Sequence, residues 1–81
     1  MKYIVIELQK ITEDADISTI VFPKNTKEEA ESTYYSILAA AAISTIPVHG
    51  AIIIDELGNP LKNNHYTHKV KQEDEQTAPN D

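Results

Sequence analysis

The hydrophobic pattern predicts a small α+β domain of order ββαββ, with a four-stranded, mainly antiparallel sheet and one helix packed on one of its faces. Two observations lead to this. A single stretch, Lys27 to about Ser44, repeats apolar residues at helical spacing, and two stretches on either side of it alternate or run apolar at strand length. The joins between them are short, which favours antiparallel neighbours. Residues 1–68 make up the expected domain and residues 69–81 an acidic tail.

The first strand, Lys2 to Leu8, sets Ile4, Ile6 and Leu8 on one side and Tyr3, Val5 and Glu7 on the other. Both sides are partly apolar, as in a central strand. Lys10 to Asp16 has little apolar content and reads as a turn. Its Glu13, Asp14 and Asp16 lack the glycine and terminal glutamate of a calcium loop, so they are expected to be solvated carboxylates rather than a metal site. Ile17 to Phe22 is the second strand, rich in β-branched residues and stopped by Pro23.

Asn25 and Thr26 can cap a helix beginning at Lys27, and Glu29, three residues past Thr26, can reach back to complete a capping box. Glu28, Glu29 and Glu31 place negative charge where the helix dipole favours it. Ala30, Tyr34, Ile37, Leu38 and Ala41 form the stripe facing the sheet. Tyr35, Ala39, Ala42 and Ile43 fall on another side, which leaves the second half of the helix apolar nearly all round. Pro47 disfavours helical geometry at Ile46 and ends the helix near Ser44.

His49 to Asp55 is the third strand, apolar on both sides, and Asp55 to Asn59 is a turn in which Gly58 takes positive φ. Leu61 to Thr67 returns as a polar strand suited to a sheet edge. From Lys69 onward only Val70 and Ala78 are apolar, a composition that predicts disorder.

Composition narrows the function. The 81 residues hold 13 acidic and 7 basic side chains, a net charge of −6, and every basic residue is lysine. Without arginine, the residue best fitted to phosphate and guanine, nucleic-acid binding is not expected. With no cysteine there are no disulfides to supplement a small core, so a homo-oligomer, a dimer by preference, is expected. The opening MKYIVIELQ is too short an apolar run for a signal core or a membrane span, which points to a cytoplasmic protein.

No set of residues converges on a catalytic pattern. His65 and His68 are spaced H-x-x-H, but residues three apart on a strand point to opposite faces, and with His49 they read as surface histidines. Ser18, Ser32, Ser36 and Ser44 sit in no strand-to-helix elbow, and Asp55-Glu56 reads as a turn opener. Gly50 and Gly58 are too far apart to cradle a phosphate. Neither enzyme activity, metal nor cofactor is expected. Tyr3, Tyr34, Tyr35 and Tyr66 could line a pocket for a flat ligand, although core or interface roles suit them better.

Two surfaces need a cover that one copy does not provide. The first is the outer side of the helix at Tyr35, Ala39, Ala42 and Ile43, expected to be the self-association or partner face. The second is the side of the sheet away from the helix, expected to carry Tyr3, Val5 and Ile53 together with Ala51.

Taken together, MKYIVIEL, YYSILAAAAISTIPVHGAIIIDELG and HYTH resemble small proteins carried by phages and integrated elements of Gram-positive gut bacteria, over about residues 1 to 68. The shared motifs are structural and transfer no site residue. The resemblance implies an accessory role: a binding protein that engages a host or phage protein, such as a counter-defence inhibitor, or else a sponge for a small nucleotide-like ligand at a subunit interface, or a minor virion component.

Overall fold

The structure is a computed structural model that describes residues 2–68, so the tail expected to be disordered lies outside the described residues. Strand β1 (Tyr3–Lys10) and β2 (Ser18–Lys24) precede helix α1 (Lys27–Ile43), which is followed by β3 (Val48–Asp55) and β4 (Pro60–Thr67). The strands form one sheet in the order β2-β1-β3-β4 with every neighbouring pair antiparallel, and α1 crosses from the edge strand β2 back to β3. The ββαββ fold is as the sequence predicts.

Local chemistry fixes the element ends. The Thr26 hydroxyl accepts from the Glu29 amide at 3.1 Å, while the Glu29 carboxylate accepts from the Asn25 amide at 3.3 Å. The capping box is thus closed through Asn25 rather than Thr26 itself. At the other end Ser44 leaves the helical region, with φ −75° and ψ 158°, and its hydroxyl accepts from the Ile46 amide at 2.9 Å. The hairpin between β3 and β4 turns on Gly58 at φ 90° and carries a register shift at Ile53/Ile54, the bulge that this kind of turn produces.

Ala30, Tyr34, Ile37, Leu38 and Ala41 are the buried side of α1. Beneath them lie Val5, Ala51 and Ile53, with Tyr3 and Phe22 packed at the margin. This corrects the expected facing of the sheet: Val5 and Ile53 are 0% and 1% exposed in the core, and Tyr3 shares their side. The side away from the helix carries Ile4, Ile6 and Leu8 of β1 instead, paired with Ile54, Ile52 and Gly50 of β3. The third strand is therefore covered on one side only.

The physical cause is a long-range pair. Glu7 makes its side of β1 look wet, but it meets His49 of β3 on the same side, and the two hydrogen-bond to one another on the side of the sheet that faces the helix. Small Ala30 and Ala51 in the core then let the helix come close to the sheet.

Candidate functional site

Three places in the described residues could carry function: a polar cluster under the helix, the outer side of the helix, and the open face of the sheet. In the cluster, His49 Nε2–H donates to Glu7 Oε2 at 2.6 Å and Gln9 Nε2–H donates to the same oxygen at 3.0 Å. His49 is 4% exposed, and its Nδ1 has no hydrogen-bond partner. An acid–base pair of this kind needs access to a reacting group. Clefts of about 380 and 440 Å³ among the described residues are lined by other side chains than Glu7, Gln9 and His49. The sequence reading passed over this pair because its members are 42 residues apart.

The three histidines do not meet. His65 sits opposite Gly50 on the open face, His49 is under the helix, and His68 uses Nε2–H to donate to the carbonyl of Ala41 at 2.9 Å near the end of α1. Among the described residues no group of histidines and carboxylates is placed to hold a metal ion. Asp55, at the end of β3, organises the hairpin. Its Oδ1 accepts from the amides of Leu57 and Asn59, both at 2.9 Å, and its Oδ2 accepts from Asn59 Nδ2 at 3.1 Å. These bonds, the Asn59 amide foremost, hold its carboxyl below the ordinary carboxylate value.

On the outer side of α1, Tyr35 is 52% and Ile43 86% exposed, and Ala39 and Ala42 are exposed between them. The Tyr35 ring stands edge-on to Tyr34 at a centroid distance of 5.0 Å, and Lys62 Nζ of β4 lies 5.9 Å from its centre. The Tyr35 hydroxyl beside it holds the Lys62 ammonium above its ordinary value, and burial raises the Tyr34 phenol. The four tyrosines do not line one pocket. Tyr3 lies at the core margin, while Tyr66 stacks on His68 with ring centres 6.5 Å apart.

The open face of the sheet is built from cross-strand rows. Pro23, Ile4, Ile54 and Pro60 form one, Val21, Ile6, Ile52 and Asn63 the next, and Thr19, Leu8, Gly50 and His65 the third. None of these carries a carboxylate, and Lys10 stands at one corner. Gly50 makes the third row low. A Cβ there would come within 2.6 Å of His65 Cβ and 2.7 Å of the Asn64 carbonyl oxygen, and the cleft of about 440 Å³ lies over this point between Leu8, Ile17 and His65.

No helix among the described residues is long and apolar enough to cross a membrane. No protein family matches the chain, and neither a curated protein nor a solved structure does.

Proposed function

We propose that the chain is a non-catalytic binding module of the phage accessory type, which engages a protein partner through the outer side of α1. The observation that carries this is Tyr35, half exposed yet held by Tyr34 on one side and Lys62 on the other. A ring held in this way has little freedom left to lose on binding, and tyrosine is among the residues in which interfaces concentrate their affinity. Ala39 and Ala42 give a smooth strip from Tyr35 to Ile43, on which a partner's side chains can lie closely. Net charge of −6 steers toward a partner surface that is basic or neutral. A host factor that is bound and blocked fits both the surface and the accessory setting.

The test is affinity capture from a lysate of a Gram-positive gut bacterium, followed by quantitative mass spectrometry, with the wild-type chain beside Tyr35→Ala and Ala39→Glu. Both positions are exposed, so circular dichroism and melting temperature should stay close to wild type. A protein recovered by the wild type and lost with both variants is the expected result. Equal recovery by all three chains would remove the helix surface from the function.

A further inference from the structure

We propose that the open face of the sheet is covered by the same face of a second copy, forming a two-layer β-sandwich dimer whose two-fold axis runs along the row Val21, Ile6, Ile52. This surface lies on the opposite side of the sheet from α1 and is independent of the partner surface on the helix.

The composition of the face selects the occupant. Among the described residues the three rows carry no carboxylate and Glu13 approaches only at the Lys10 corner, so two like copies of a chain of net charge −6 can meet on the rows without bringing acid against acid. The chain's own residues 69–81 are a poor cover, since Val70 and Ala78 are their only apolar side chains. The size is sufficient: four strands about 4.8 Å apart and seven or eight residues long at about 3.3 Å each give roughly 19 by 25 Å, or on the order of 1,000 Å² for two copies, at the lower bound for a specific interface.

The relief of the face selects the axis. A two-fold along the middle row turns the first row onto the third, which brings Ile54 of one copy over Gly50 of the other, twice. The projecting isoleucine thus fills the low ground that Gly50 leaves beside Leu8. The same axis stacks β2 on β2, placing Val21, 54% exposed, against its own copy. A two-fold parallel to the strands would instead set Val21 of β2 against Asn63 of β4, whereas the axis along the row sets Asn63 against its own copy, where the two amides can hydrogen-bond, and is preferred. Facing sheets at about 10 Å and offset by about 30° are the ordinary aligned sandwich.

The experiment uses the full chain. Sedimentation equilibrium should find the wild type dimeric at high micromolar concentration, and Val21→Lys should weaken association by more than about tenfold while leaving the far-ultraviolet spectrum unchanged, since Val21 is half exposed in the single copy. Orientation is read by cross-linking, for which the absence of native cysteine is convenient. Backbones about 10 Å apart are too distant for a disulfide, so a short bis-maleimide is used. Val21→Cys should be joined to its own copy efficiently and Ile43→Cys, on the helix, should not. A wild type that remains monomeric leaves the face to another protein or to residues 69–81 and overturns the proposal, as does a dimer that Val21→Lys does not weaken or one joined through Ile43→Cys. The helix variants Tyr35→Ala and Ala39→Glu should dimerise like the wild type, so loss of partner capture and loss of self-association fail separately.

Discussion

Glu7 and His49 show how one contact decides which side of a strand is inside. Each is a polar interruption in an apolar pattern, and alone each would hold its side of the sheet in water; hydrogen-bonded at 2.6 Å, with Gln9 as a further donor, they can be covered by a helix. The pair is nevertheless an imperfect solution, because His49 Nδ1 stays buried without a partner. Removing one member should therefore be worse than removing both. Glu7→Val is expected to cost about 1–3 kcal/mol by removing the 2.6 Å partner of His49 and leaving it the Gln9 amide at 3.4 Å, and His49→Val a similar amount by leaving Glu7 with the Gln9 donor alone. Glu7→Val with His49→Val should recover most of that loss, since no buried polar atom of either residue remains. Urea denaturation of the three variants checks this as a double-mutant cycle, and a double variant as unstable as the sum of the singles would mean that the pair is not coupled.

At the scale of elements, the helix was legible and the facing of the strands was not. Thr26, Glu29 and the stripe from Ala30 to Ala41 are local signals, spaced by the helix's own geometry, and they place both the start and the buried side. The turn at Gly58 and the polar character of β4 were equally local. The facing of β1 and β3 depends on partners far away in the chain, and with apolar residues on both sides the alternation contains no preference. Gly50 reads as an unremarkable residue in a strand until β4 is laid beside it. Its Cβ would then press on His65 Cβ at 2.6 Å and on backbone at Asn64, a group that cannot rotate away. Gly50→Ala should push β4 outward and cost on the order of 1–3 kcal/mol by overpacking. Amide exchange would show faster protection loss in β4 than in β1 and β2, whereas wild-type stability and exchange would show that β4 yields without strain.

Across the described residues, most of the acidic side chains lie away from the open side of the sheet. Among the described residues Glu28, Glu29 and Glu31 lie on the helix, Glu13 and Asp14 in the first turn and Glu56 after β3, while the three middle rows of the open side carry no carboxylate and Glu13 comes only to its Lys10 corner. Two copies brought together on that side gain by removing apolar surface from water and lose by the mutual repulsion of two bodies of net charge −6. Salt acts on the second contribution and leaves the first nearly unchanged, because a Debye length of about 30 Å at 0.01 M falls to about 8 Å at 0.15 M. Raising sodium chloride over that range should therefore tighten the dimer. An interface held by ion pairs between opposite charges would loosen over the same range, so the sign alone separates the two. Sedimentation equilibrium at several salt concentrations measures it: a dissociation constant that falls as salt rises is the expected outcome, and one that rises would place complementary charges, rather than the uncharged sheet, at the contact.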